Sequence, residues 1–244
     1  VDYSTSQIQT ALVNLSSTIS DLFYFCSGSN GKQNQCWYGQ VYQGLASSTL
    51  TNGTFSISDN YYSVDLFPTS GTSKSYVDAY YDSVAVEFED EGDGWYSFNS
   101  DTYSYALDTS DASDVTLDIT GDSTENGKYF PFGEYDYHFG MKLPISFTLD
   151  EENATAGSET TTTDDDTIFT FSGDDDVFVY IDGELVMDLG GIHNTMTGTI
   201  NFSTGVVTIT GHNSGSNTSS GSVTTYGTEA IYNSSASNIL GNDY

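Results

Sequence analysis

The chain has 244 residues, with four lysines, no arginine and 35 aspartates and glutamates, which gives a formal net charge of −31 at pH 7. This charge excludes nucleic acid as a partner and argues against anionic membrane surfaces, because both require a basic footprint on the protein. It suits divalent cations, calcium above all, which takes about six to eight oxygen ligands. Solubility alone is the alternative explanation for most of these carboxylates.

Length and residue content favour one large β domain. All-β domains often reach this size as single units. Tyrosine and phenylalanine are frequent, with 19 and 14 copies, and both favour strands. We therefore expect helix to be a minority of the structure.

The first segment, Ser6 to Phe23, has the apolar spacing of an amphipathic helix. Its apolar residues recur at steps of four and three with polar residues between them; they are Ile8, Leu12, Leu15, Ile19 and Leu22. The sequence therefore predicts one N-terminal α-helix, and residues 1–35 are interpreted as this helix followed by a disulfide loop.

Two cysteines, Cys26 and Cys36, bracket a polar loop. A disulfide between them is predicted, which indicates an oxidising, extracellular location. Two buried free thiols remain the alternative. No apolar run approaches the roughly 18 residues of a membrane span, and no signal peptide pattern opens the sequence, so we expect a mature or excised portion of a secreted protein.

Short runs with period two follow this loop and predict half-buried strands. The runs 168–171 and 177–181 are apolar on both faces, as expected of central strands, and Asp182-Gly183 predicts a hairpin turn. Residues 199–202 and 206–210 predict a second hairpin. The period-two runs lie at Val84 to Phe88, Val115 to Ile119 and Ile145 to Leu149.

Three adjacent carboxylates, Asp174, Asp175 and Asp176, stand at the start of a buried strand. Because side chains alternate along a strand, they cannot all face the core, and adjacent like charges repel unless a cation or solvent intervenes. Their spacing is not that of an EF-hand loop. A metal site and a solvated turn therefore both remain open on spacing alone.

Residues 36–244 resemble the PA14 and fibro-slime domains of microbial surface proteins. The strand and turn from Phe171 to Gly183, followed by Leu185 to His193, are similar to the family's acidic-pair strand, Ile-Asp-Gly turn and Gly-Gly-x-His stretch. Further motifs match in the same order: Gly44-Leu45-Ala46, Leu66-Phe67-Pro68, Trp95-Tyr96-Ser97-Phe98, Tyr129-Phe130-Pro131-Phe132 and Tyr137-His138-Phe139-Gly140-Met141.

The resemblance implies an all-β, mainly antiparallel β-sandwich of PA14-like topology and a calcium site. In sugar-binding members an Asp-Asp pair holds a calcium ion that coordinates vicinal glycan hydroxyls. The matching positions are Asp174 and Asp175, with Asp176 where many members have glycine. Asn194, Asn213 and Asn217 are weak stand-ins for the family's further ligands. The family's closing strand has no counterpart before Tyr244. Either the sequence omits the end of the domain, or another chain or a processed segment completes the sheet.

Several aromatic and histidine side chains are weaker candidates for ligand contact. His193 follows Gly190-Gly191 and would touch the site or cap a turn. Trp37 with Tyr38, and Trp95 with Tyr96, would stack on sugar rings, although such residues more often lie in a core.

No catalytic motif supports an enzyme. The paired carboxylates Glu87 and Glu89 suit glycosidase chemistry in principle, but a solvated face explains them in so acidic a chain. Two functions remain: a calcium-dependent, lectin-like adhesin domain that binds glycans, or a structural or protein-binding module of a surface fibre or wall with calcium for stability only. An isopeptide crosslink at Lys142 is a third idea.

Overall fold

The computed structural model describes residues 8–15, 46–56, 67, 77–122, 128–133, 136, 138–147, 167–174, 176–189, 195–202, 206–213 and 222–230. These residues form thirteen strands and no helix, so the all-β prediction with mainly antiparallel sheets is confirmed. The strands are β1 (Ile8–Leu15), β2 (Val77–Val86), β3 (Glu89–Gly92), β4 (Trp95–Ser97), β5 (Tyr103–Asp108), β6 (Val115–Asp122), β7 (Phe139–Lys142), β8 (Ile168–Gly173), β9 (Val177–Ile181), β10 (Glu184–Leu189), β11 (Met196–Asn201), β12 (Val206–Asn213) and β13 (Ser222–Ala230).

The chain divides into two compact units that interleave in sequence. The first unit comprises Val1–Leu22 and Asp65–Ser146, and the second comprises Phe23–Val64 and Phe147–Tyr244. The expected boundary between residues 35 and 36 lies outside the described residues and stays a prediction.

The first unit is built on a five-stranded sheet in the order β5-β6-β2-β1-β7. The pair β2 and β6 is parallel, and the other neighbours are antiparallel. Its core comes from alternate residues of β1, β2 and β6, which are Leu12, Val84, Val86, Val115 and Leu117.

The helix predicted from Ser6 to Phe23 is wrong for Ile8–Leu15, which form strand β1. This strand hydrogen-bonds to β2 on one edge and β7 on the other, and the neighbours Leu12 and Val13 are both 0% exposed. Pairing with distant strands overrides the local preference. Register shifts between Thr10 and Leu12 and between Asn14 and Leu15 break the period of two, so the apolar spacing imitates a helix. Residues 16–23 lie outside the described residues.

The second unit contains the antiparallel sheet β13-β12-β11-β8 and the hairpin β9-β10. Met187 and Leu189 of the hairpin pack with β11 and β12 in one core cluster. Gly198 allows this approach, because a Cβ there would overlap the Met187 side chain. The other buried members of the cluster are Ile181, Met196, Ile200, Phe202, Val207 and Ile209.

Both hairpins predicted in this unit are confirmed. Asp182 and Gly183 have φ of 50° and 82°, as a two-residue turn with left-handed residues requires. Strands β11 and β12 pair up to Asn201 and Val206. The run predicted as a strand from Ile145 to Leu149 is not one in its described part, residues 145–147, where Ile145 is 38% exposed.

Candidate functional site

The candidate site is the acidic turn between β8 and β9. Asp174 and Asp176 are both exposed at this turn, and Asp175 between them lies outside the described residues. The turn joins two strands whose alternate residues pack on the core of the second unit, so its carboxylates project from an anchored base.

Two separate pairings fix the ends of the turn. Strand β8 ends at Gly173, which pairs with Met196 of β11, and β9 begins at Val177, which pairs with Leu189 of β10. The Phe171 ring covers Gly173, since a Cβ at that position would lie 2.6 Å from Cζ of the ring. The absence of a Cβ at Gly173 therefore allows the Phe171 ring to pack directly against the backbone beside the acidic turn.

Asp188 is a further carboxylate near this turn that sequence reasoning missed. A register shift between Leu185 and Met187 places Asp188 opposite Phe178. Phe178 and Asp188 lie on one side of the hairpin, because directly paired residues share a face, and Asp176 stands two residues before Phe178. Without the shift, Asp188 would pair with Val177 and lie on the core side. The position of Asp188 therefore depends on a β-bulge, which the local sequence does not reveal.

Asp182, the acidic residue of the hairpin turn, lies at the opposite end of β9. Six residue steps separate it from Asp176, about 20 Å in an extended strand. At this end the segment 46–56 runs along β10, with hydrogen bonds from Leu50 N to Gly183 O and from Leu185 N to Ser48 O of 2.8 and 2.9 Å. Asp182 therefore belongs to a braced turn and not to the candidate site.

Tyr180 anchors the segment 46–56 to the hairpin. Its hydroxyl donates a 2.7 Å hydrogen bond to the carbonyl of Ser47, and the Phe55 ring lies 5.3 Å from that of Phe178 and 6.4 Å from that of Tyr180. Burial, with a smaller contribution from the charge of Asp188, raises the pKa of Tyr180 to about 12. The phenol is therefore neutral in the folded protein at physiological pH.

Within the described part of the chain, no group of three or more His, Cys, Asp or Glu side chains is placed to hold a metal ion. Asp174 and Asp176 thus supply exposed oxygen donors, but not a complete coordination shell. The predicted contributors His193 and Asn194 lie outside the described residues, as do Trp37, Asn217, Cys26 and Cys36. Asn213 is the last residue of β12.

The aromatic motifs of the first unit divide between core and surface. The Phe98 ring stacks on Tyr105 at 4.0 Å and meets Tyr129 at 5.2 Å, and Tyr129 meets Phe139 at 5.5 Å. Enclosure among these rings raises the pKa of Tyr129 above its ordinary range, with a smaller contribution from Tyr105. Three motifs of the family resemblance thus meet in one structural cluster.

Trp95 behaves differently from these rings. It lies in the hairpin β3–β4 and is 50% exposed, whereas the adjacent Tyr96 is partly buried. The core alternative for Trp95 is therefore wrong, and its indole is accessible for stacking on a ligand.

The remaining candidates of the first unit have ordinary roles. Glu87 accepts a 3.3 Å hydrogen bond from the backbone N–H of Ile119. His138 is partly buried, and its backbone N–H donates to Asp136. Lys142 is exposed at the end of β7.

No family model matches the chain, and no solved structure matches it. It is similar to psi proteins of Dictyostelium discoideum. It is 35% identical to protein psiC over 120 residues, which cover 49% of this chain and 19% of psiC. It is 31% identical to protein psiD over 115 residues, which cover 46% of this chain and 18% of psiD. It is 49% identical to protein psiO over 69 residues, which cover 28% of this chain and 8% of psiO. The chain thus spans less than a fifth of the length of these relatives.

No helix in the described ranges is long and apolar enough to cross a membrane.

Proposed function

We propose that this chain is a non-enzymatic, calcium-dependent ligand-binding module of the PA14 and fibro-slime type, carried by an extracellular surface protein. The β8–β9 turn holds the calcium ion, and the ion in turn binds hydroxyl groups of a glycan. The observation that carries the proposal is the exposure of Asp174 and Asp176 at a turn anchored by core strands.

The local charge supports a cation from solvent. The segment from residue 147 to residue 244 contains no lysine or arginine, while Asp174, Asp175 and Asp176 place three carboxylates next to one another in sequence. Adjacent like charges in one turn repel each other. A hard divalent cation with oxygen ligands relieves this repulsion, and calcium tolerates the irregular geometry of a turn.

The exposure of the turn supports a ligand role for the ion. Two or three carboxylates supply only part of the about six to eight oxygens that calcium takes. Water or two neighbouring sugar hydroxyls can fill the exposed positions. Asp188, which pairs with Phe178 of the strand that follows the turn, adds negative potential to this part of the hairpin.

The proposal is tested by thermal unfolding with calcium, with magnesium at equal ionic strength and with excess chelator. Binding only to the folded state stabilises it by about 2.7 kcal/mol at a hundredfold excess over the dissociation constant. We expect calcium to raise the midpoint of the wild-type chain and to leave Asp174→Asn/Asp176→Asn unchanged. The control Asp78→Asn/Asp82→Asn removes two exposed carboxylates from β2 and keeps the calcium response.

The result of this test distinguishes calcium-dependent glycan binding from a structural or protein-binding role. An equal midpoint in calcium and chelator, or an equal calcium response in the Asp174→Asn/Asp176→Asn variant, would contradict the site. Calcium stabilisation that is lost in this variant, without retention of any glycan on an array, would assign the ion to stability alone and favour a structural or protein-binding module.

A further inference from the structure

The four-stranded sheet of the second unit carries an ordered array of hydroxyl side chains on one face. The register places Ser172 opposite Thr197 and Thr197 opposite Thr210, and in the next row Thr170 opposite Thr199 and Thr199 opposite Thr208. Backbone pairing continues both rows into β13, at Thr225 and Thr228. We call the five residues with described side chains the hydroxyl face; they are Thr170, Ser172, Thr197, Thr199 and Thr208.

Strand alternation separates this face from the core. Thr170 and Ser172 are exposed, and the three threonines of β11 and β12 are partly exposed. The intervening residues pack inward, where Met196, Ile200 and Ile209 are buried. The strands that carry one row are about 4.8 Å apart, and the two rows are about 6.7 Å apart along the strands. Thr197 Oγ1 donates to Ser172 Oγ at 3.2 Å, which joins two neighbours of one row.

The hydroxyl face is uncharged in a very acidic chain. The strands β8, β11, β12 and β13 contain one acidic residue, Glu229, although 35 of the 244 residues are acidic. Glu229 pairs with Val207, a residue of the core side, so its register position is not in the hydroxyl rows. Across the described strands β8, β11 and β12, the one ionisable residue at a register position on this side is His212, beyond both rows.

These properties define the chemistry of a partner. Each hydroxyl both donates and accepts hydrogen bonds. The rows lack the large aromatic and arginine side chains that anchor protein–protein interfaces. They also lack carboxylates, whose desolvation would oppose contact with an uncharged surface. The absence of charge in the rows and their many hydroxyls therefore favour an uncharged polymer that itself presents many hydroxyl groups.

We propose that the hydroxyl face is a second binding surface, which takes a neutral polysaccharide and does not require calcium. Four strands span about 14 Å across the sheet, enough for several sugar units of one polymer chain. The surface does not include the proposed ion site at Asp174 and Asp176, so an experiment can contradict either proposal without contradicting the other.

The test measures retention of the whole chain on insoluble cellulose, chitin and a β-1,3-glucan in excess chelator. The variant Thr199→Val/Thr208→Val removes two hydroxyls of one row and keeps β-branched side chains, so strand propensity is retained. We expect wild-type binding to at least one polymer and binding weaker by at least about tenfold in the variant, as loss of two hydrogen bonds implies. The control Thr102→Val/Thr109→Val changes exposed threonines of the first unit and should change affinity by less than about twofold.

Equal binding by wild type and Thr199→Val/Thr208→Val would overturn the proposal, as would the absence of binding to all three polymers in chelator. Binding that appears only when calcium is added would assign polysaccharide contact to the acidic turn and also overturn it. Circular dichroism and the unfolding midpoint of each variant separate loss of the surface from loss of the fold.

Discussion

Single residues set how the second unit responds to alkaline pH. Tyr180 has its pKa raised to about 12, first by burial and then by the charge of Asp188. The ordinary tyrosine pKa in an unfolded chain is about 10. Between these values the folded state binds more protons than the unfolded state, so stability is intact below about pH 10 and falls as pH rises toward 12.

We predict that Tyr180→Phe flattens this alkaline decline. At pH 7 the variant should lose about 1 kcal/mol, because the carbonyl of Ser47 loses its hydrogen bond from the phenol. Between pH 9.5 and 11.5 its free energy of unfolding should fall less steeply than that of the wild type, as measured by urea titration at each pH. Parallel declines in the two proteins would show that Tyr180 does not ionise on unfolding.

At the scale of elements, the hairpin β9–β10 depends on the backbone of its turn. Gly183 has φ of 82°, and the nearest atom to a Cβ at this position would be Cβ of Leu50 at 3.9 Å, so the position is open but conformationally restricted. The residue before it, Asp182, is also left-handed, with φ of 50°. Aspartate and asparagine tolerate this region better than other side chains.

We predict that Gly183→Ala destabilises the chain by about 1–2 kcal/mol, the cost of a left-handed L residue. Asp182→Asn should change stability by less than about 0.5 kcal/mol, because asparagine suits the same turn. Urea unfolding of both variants checks the pair. Equal effects would mean that side-chain contacts of Asp182, and not backbone conformation, hold the turn.

The same elements show what the sequence could predict. The Asp182-Gly183 turn and the strands through Ile119, Phe171 and Ile181 were predictable because their signals are local. Strand β1 was not, because its partners lie about 70 and 130 residues away and two register shifts distort its apolar period. Asp188 was missed for a related reason, since one extra residue in β10 moves it to the other side of the hairpin.

At the scale of the whole molecule, a net charge of −31 opposes compactness. Screening lengths fall from about 30 Å at 0.01 M salt to about 3 Å at 1 M. We therefore predict that the unfolding midpoint rises steadily with sodium chloride, in wild type and in Asp174→Asn/Asp176→Asn alike, as measured by calorimetry in chelator. A midpoint that falls with salt would mean that attractive charge pairs dominate.

The central place of β1 has a consequence for protein synthesis. Thr10 donates a hydrogen bond to the carbonyl of Lys142, a partner that lies 132 residues later in the chain. A ribosome that adds about 5–20 residues per second takes roughly 7–26 s to cover that distance. Until then the apolar residues of β1 lack β7, one of the two strands that flank β1. Yield from expression should therefore depend on chaperone supply during translation more than on the stability of the finished fold.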